Sequence, residues 1–127
     1  MLRRITPATI HPPFAKYCHA TLVPCTARWL YISGQLGIRP DGVIPERFEH
    51  QAEACFDNIA QILAEAGMRA TDLVRLNTYL TDPADLATYM MVRDRYVGDP
   101  PPASTLLVVP ALARPQFRIE IEATAAA

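Results

Sequence analysis

Residues 116–124 alternate strictly. Ile119, Ile121 and Ala123 point one way, and Glu120, Glu122 and Thr124 the other. A period of two predicts a strand lying between a core and a wetter surface. Residues 73–80 repeat the pattern, with Val74, Leu76, Thr78 and Leu80 opposed to Arg75, Asn77 and Tyr79. Residues 103–109 are nearly all apolar on both sides, with Leu106 and Val108 opposed to Leu107 and Val109, and in 29–33 Trp29 and Tyr31 oppose Leu30 and Ile32 in the same fashion. Strands of that kind are usually buried on both faces. Residues 19–23 form a further short strand, joined to 29–33 by a hairpin-sized connection, 24–27.

The period changes to three and four over residues 47–66. Phe48, Ala52, Cys55, Ile59, Ile62 and Ala66 form one stripe, widened by Phe56 and Leu63. This predicts a helix buried on one face and stopped by Gly67. A second helix starts at Asp82 as N-cap, with Pro83 in its first turn. It runs to about Val97, with Leu86, Met90, Tyr96 and Val97 facing inward. Residues 1–15 read as an extended arm and the last alanines as a short tail.

The element order is strand, strand, helix, strand, helix, strand, strand. A strand–helix–strand step favours a parallel pair with a right-handed crossover, and the end hairpins are expected to be antiparallel. The pattern therefore predicts an α+β fold: a mixed sheet with both helices packed on one face. Two helices cover one side only, so the other side of the sheet is expected to meet further copies of the chain.

Composition narrows the classes. The 127 residues are 50 % hydrophobic and carry a formal net charge of −1. They are read as a single domain, 1–127, burying roughly two-thirds of its unfolded surface. Affinity for nucleic acid rests on phosphate neutralisation, and this chain has no basic stripe, so no nucleic-acid partner is expected. No apolar run approaches a membrane span and none follows the N-terminal arginines, so no membrane partner and no leader are expected. Cys18, Cys25 and Cys55 form neither a disulfide framework nor a zinc motif. Reduced thiols and a cytoplasmic location are expected, with no metal and no cofactor.

The segments AKYCHA (15–20), ISGQLG (32–37), QAEACFDNIAQILAEAG (51–67), LVRLNTYLTDPADLATYM (73–90), PPAS (101–104) and RIEIEATA (118–125), in this order and spacing, resemble the RidA or YjgF-like family. The resemblance spans nearly the whole chain. It implies the chorismate-mutase-like fold, a homotrimer, and a small-molecule ligand in clefts between subunits. Its best-known members hydrolyse reactive imines and enamines to a 2-oxo acid and ammonia. In that family an arginine anchors the substrate carboxylate, a glutamate on the last strand activates water, and an N-terminal tyrosine and the SGQ segment shape the pocket.

Carried onto this chain, the resemblance implies Glu120 as the catalytic residue. Tyr17, Ser33 and Gly34 fall on the substrate-binding positions. The arginine does not carry over, because Pro102 and Ala103 are followed by Ser104. A serine hydroxyl offers one neutral hydrogen bond where the guanidinium offers a fork. Arg114 and Arg118 are the first cations after Ser104 along the chain, and Arg114 is counted with Ser104 in the substrate-binding set. Two readings follow: an imine or enamine hydrolase with altered substrate preference, or a non-catalytic trimer that binds a small metabolite.

Overall fold

The computed structural model describes residues 1–127. In chain order the strands and helices are β1 (Arg3–Ile5), β2 (Ala20–Leu22), β3 (Trp29–Leu36), α1 (Phe48–Glu65), β4 (Leu73–Leu80), α2 (Leu86–Tyr96), β5 (Ala103–Val108) and β6 (Ile119–Ala126). Single 3₁₀ turns, Ala70–Asp72 and Pro83–Asp85, precede β4 and α2. Four strands form the main sheet in the order β3-β6-β4-β5. β6 is antiparallel to both neighbours, and β4 is parallel to β5 across the α2 crossover. The sheet is mixed and both helices pack on one face, as the periodicity predicts.

Pairing at the two ends differs from expectation. β2 pairs with β1, inside the predicted arm, rather than with β3. The Thr21 hydroxyl donates to the Val74 carbonyl at 3.0 Å, and the Cys18 amide donates to the Pro102 carbonyl at 3.1 Å. These bonds hold the β1–β2 hairpin against the start of β4 and β5, away from β3. At the other end β5 and β6 are not neighbours, because β4 lies between them. The ten-residue connection with Pro110 and Pro115 is far longer than a tight hairpin turn. The terminal alanines are no tail: Ala125 and Ala126 are fully buried in β6, and Ala127 exchanges two backbone hydrogen bonds with Arg28.

The core lies between the sheet and the helices. Ile119, Ile121, Ala123 and Ala125 of β6 meet Leu76 and Leu80 of β4, and Phe48, Ala52, Cys55, Ile59 and Leu63 of α1 close over them. A β4 bulge between Leu73 and Arg75 puts Leu73, rather than Val74, into this cluster. On α2 the fully buried side chains are Tyr89 and Val92, with Arg93 nearly so, while the expected Leu86 is exposed. The Thr78 and Tyr89 hydroxyls share a 2.6 Å hydrogen bond, which draws that face of the helix inward. Arg93 stays buried because its guanidinium lies over the Tyr89 ring and pairs with Asp94 at 2.9 Å.

Gln51 is the buried polar side chain the helical stripe did not reveal. Its Nε2 donates to the Pro45 and Gln116 carbonyls, both at 2.8 Å, and its Oε1 accepts from the Arg118 amide at 3.0 Å. Three bonds satisfy the amide and tie α1 to the residues that lead into β6.

Candidate functional site

The second sheet face is not covered by the chain. Tyr31 is 76 % exposed and Leu107 53 %, and the Trp29 and Tyr31 rings stack at 6.1 Å across its rim. Glu120, Glu122 and Thr124 of β6 and Arg75, Asn77 and Tyr79 of β4 stand on this open face, as the alternation predicts.

Glu120 is positioned by a fault in β3. Ile32 pairs with Ala123 and Gln35 with Ile121, so three steps along β3 match two along β6. The extra residue makes a bulge at Ser33 and Gly34. The Cys55 thiol donates to the Gln35 carbonyl at 3.2 Å, and the Gln35 amide to the Ser33 carbonyl at 3.0 Å, fixing the bulge from the core side and from within. The Glu120 carboxylate lies over Gly34, in the space a Cβ there would fill. Glycine is required here by close approach, since its φ is not positive. The structure thus brings Ser33, Gly34 and Glu120 together.

A polar ladder continues along the open face. Tyr79 is the register partner of Glu120, yet its hydroxyl donates to Glu122 Oε1 at 2.6 Å. Asn77 Nδ2 donates to the same oxygen at 3.3 Å. Arg75 Nε donates to Asn77 Oδ1 at 3.0 Å, and its Nη2 to the Thr105 hydroxyl at 2.6 Å. Glu122 is therefore held by two donors. Glu120 takes neither a hydrogen bond nor an ion pair from its own chain. The bond to Glu122 raises the Tyr79 phenol above its usual range, with desolvation and the Glu122 and Glu120 charges adding to it. The phenol stays a donor at neutral pH. The alternation places Arg75, Asn77 and Tyr79 on one face, but only the tertiary pairing joins them to Glu122.

Tyr17 and Ser104 lie elsewhere. Cys18 forms an isolated parallel bridge with Ala103, which sets Tyr17 beside the start of β5. Its hydroxyl accepts from the Phe14 amide at 3.2 Å, and its ring meets His19 edge-on at 6.1 Å. Ser104 pairs in register with Leu76, whose side chain is in the core. Ser104 therefore faces the helix side, half-buried, while Glu120 faces the open side. Arg114 is exposed in the connection at the far end of β5, where Val108 pairs with Leu80. Four strand residues, about 13 Å, separate Val108 from Ser104. Within one chain Arg114 is not brought to Ser104. Arg118 is engaged on the helix side, donating to the Glu46 carbonyl at 3.0 Å and lying over the Phe48 ring.

Other chemistry is limited. Burial, reinforced by the Glu120 charge, pushes the Cys55 thiol far up, so it remains protonated. No group of three or more His, Cys, Asp or Glu side chains is arranged to hold a metal ion. No helix is long and apolar enough to cross a membrane.

Comparison with known proteins places this geometry among relatives. A family model described as endoribonuclease L-PSP matches residues 9–127. The 2-iminobutanoate/2-iminopropanoate deaminase of Bos taurus is 36 % identical over 121 residues, covering 94 % of this chain and 82 % of the relative. Among solved structures, the Rid-family protein YyfB of Yersinia pestis superposes with a TM-score of 0.88 at 34 % identity, covering 99 % of this chain and 98 % of that one. RidA from an Antarctic Psychrobacter gives a TM-score of 0.75 at 32 % identity, covering 98 % and 99 %.

Proposed function

This chain belongs to the Rid, or YjgF-like, family, whose model carries the endoribonuclease L-PSP description, and from that premise we propose that it hydrolyses small reactive imines or enamines with Glu120 as general base. The carrying observation is the contrast between two carboxylates on one face: Glu122 held by two donors, Glu120 free above Gly34. A base must be able to accept a proton in the site, and a carboxylate with no donor is ready to do so.

In the reaction, water oxygen bonds to the imine carbon while Glu120 takes one of its protons. Glu120 returns that proton to nitrogen, giving the neutral carbinolamine. It then takes the proton of the new hydroxyl and passes it to the same nitrogen as the C=O bond forms and the C–N bond breaks, so the products are a carbonyl compound and ammonia. The Ser33–Gly34 backbone binds the polarised end of the substrate, and Tyr17 lines the pocket. Because Ser104 and Glu120 face opposite ways, the site is completed between copies in a homotrimer: Glu120, Ser33 and Gly34 from one, Tyr17 and Ser104 from the next. The exposed apolar residues of the open face support such an assembly.

Ser104 in place of the family arginine shifts preference away from small 2-imino acids. Losing a desolvated charge-assisted anchor costs about 2 to 5 kcal/mol, or roughly one and a half to three and a half decades in affinity. Neutral or larger imines are the expected substrates. Arg114 contributes only if a neighbouring copy presents it. The same serine favours a second reading, a non-catalytic trimer that holds a small metabolite. A net charge of −1 and two carboxylates on the open face disfavour phosphate, so RNA is not the proposed substrate.

The test is ammonia release from freshly generated 2-iminopropanoate and from neutral imines, by the native protein and by Glu120→Gln. Turnover that disappears in the variant supports the hydrolase. An intact trimer that consumes none of them, yet is protected from thermal unfolding by an unconsumed metabolite, establishes the second reading instead.

A further inference from the structure

We infer that Glu122 and Tyr79 act as a positioning pair, in which Glu122 holds the Tyr79 hydroxyl away from Glu120 and so leaves Glu120 without a donor. Tyr79 stands directly across from Glu120 in the β4–β6 register, at a spacing where side chains meet. Its hydroxyl nevertheless reaches two residues along β6 to Glu122, at 2.6 Å. Glu122 is fixed in turn by Asn77, and Asn77 by Arg75 anchored on Thr105. The charged and titratable groups around Tyr79 are Glu120 and Glu122 on β6 and Arg75 on its own strand. The facing β5 partner is Leu107, which offers no competing acceptor.

For a phenol released from Glu122, the other carboxylate whose charge acts on it is that of its register partner, Glu120, which can swing from Gly34 to meet it. A charge-assisted hydrogen bond to Glu120 would stabilise its anionic form and blunt it as a base. Glu122 on this account is neither a second base nor a surface charge. The inference deepens the proposed function and rests on Glu120 acting as the base, but the arrangement of Tyr79 can be read without turnover.

The experiment uses the full-length protein labelled with ¹³C at tyrosine Cζ, with Tyr79 assigned by the signal missing in Tyr79→Phe. In the native protein the Tyr79 signal moves with Glu122→Ala and ignores Glu120→Ala. In the Glu122→Ala background it moves on adding Glu120→Ala, because the hydroxyl has changed partner. Glu122→Gln keeps an acceptor and retains the native response. Kinetically, Glu122→Ala slows ammonia release by at least about 10-fold. Adding Tyr79→Phe returns the rate to that of Tyr79→Phe alone, a rescue that simple loss of packing would not produce. If Glu122→Ala loses the native fold, Glu122→Val carries the same expectations. A Tyr79 signal indifferent to Glu120→Ala in the Glu122→Ala background overturns the inference, as does a double variant as slow as Glu122→Ala. If the native protein releases no ammonia from any imine, the proposed reaction fails and the tyrosine signals alone decide the pairing.

Discussion

Glu120 and Ser104 stand on opposite faces of one sheet. Glu120 pairs with Tyr79 and Ser104 with Leu76, three residues apart along β4, or about 10 Å, with the sheet itself between the two side chains. No substrate of a few atoms touches both in a single chain. The expected consequence is complementation. Glu120→Gln and Ser104→Trp, the latter filling its half of the proposed cleft, should each be inactive alone. Unfolded together in equal amounts and refolded, random pairing restores one intact cleft in four, so about one quarter of native turnover returns. A mixture as inactive as its components would refute a shared site.

The serine also predicts a gain. Ser104→Arg restores a forked donor on the helix side of β5. The expected rise in kcat/KM for 2-iminopropanoate is roughly 100-fold or more, with little change for neutral imines. Steady-state kinetics on both substrates checks it, and equal effects on the two would show that Ser104 does not meet the carboxylate.

Two glycines separate function from stability. A Cβ at Gly34 collides with the Glu120 carboxylate, the free end of a flexible side chain, which can swing aside. Gly34→Ala should lose most turnover and change stability by less than about 1 kcal/mol. A Cβ at Gly37 would lie 2.5 Å from Gln51 Cβ and 2.9 Å from Gln51 Cα, inside α1. Gly37→Ala should destabilise by about 1 to 3 kcal/mol through overpacking. Urea unfolding and ammonia release, measured on both variants, distinguish the two outcomes.

Gln51→Leu keeps the volume and removes three hydrogen bonds. The Pro45 and Gln116 carbonyls and the Arg118 amide lose their partner. Stranded buried groups cost about 1 to 3 kcal/mol each where water cannot replace the bond. A total loss of at least about 2 kcal/mol in urea midpoint experiments is expected. A loss below 0.5 kcal/mol, by the same scale, would mean that water serves these groups.

Alkaline stability should depend on Tyr89. Burial raises its phenol to about 12, against which the Thr78 hydrogen bond and the Arg93 charge act weakly. A raised folded value means that the contribution is complete below the unfolded value near 10 and is lost as pH rises from there toward 12. Tyr96 is also raised to about 12, and Tyr79 is raised, so all three add to the fall. Tyr89→Phe should flatten the decline of unfolding free energy between pH 10 and 12 by about 1.4 kcal/mol per pH unit. An unchanged slope would show that Tyr89 is not ionising on unfolding.

Much of the architecture is legible in periodicity. The Glu120 and Glu122 face, the Leu76 and Leu80 face, the limits of α1 and the crossover onto β5 all follow from which residues repeat at two or at three and four. Other features depend on neighbours distant in the chain. The alanines after Thr124 have low strand propensity and read as a tail, yet β6 inserts between β3 and β4 and buries them, because pairing on both sides and burial override the intrinsic preference of the residue. Leu86 reads as an inward residue, but the turn Pro83–Asp85 and the Thr78–Tyr89 bond set the phase of α2 so that Tyr89 and Val92 point in.

The site divides along the same line. The sequence alone determined the family, the placement of Glu120 on a polar strand face, and the absence of an arginine at Ser104, since each rests on residue identity and short-range alternation. Tertiary structure decided that Gly34 lies under Glu120, that Tyr79 and Asn77 bind Glu122 instead, and that Ser104 faces away. Register makes those decisions, because a shift of one residue, such as the β3 bulge supplies, redirects every side chain beyond it. The alternation of one strand cannot reveal the strand beside it.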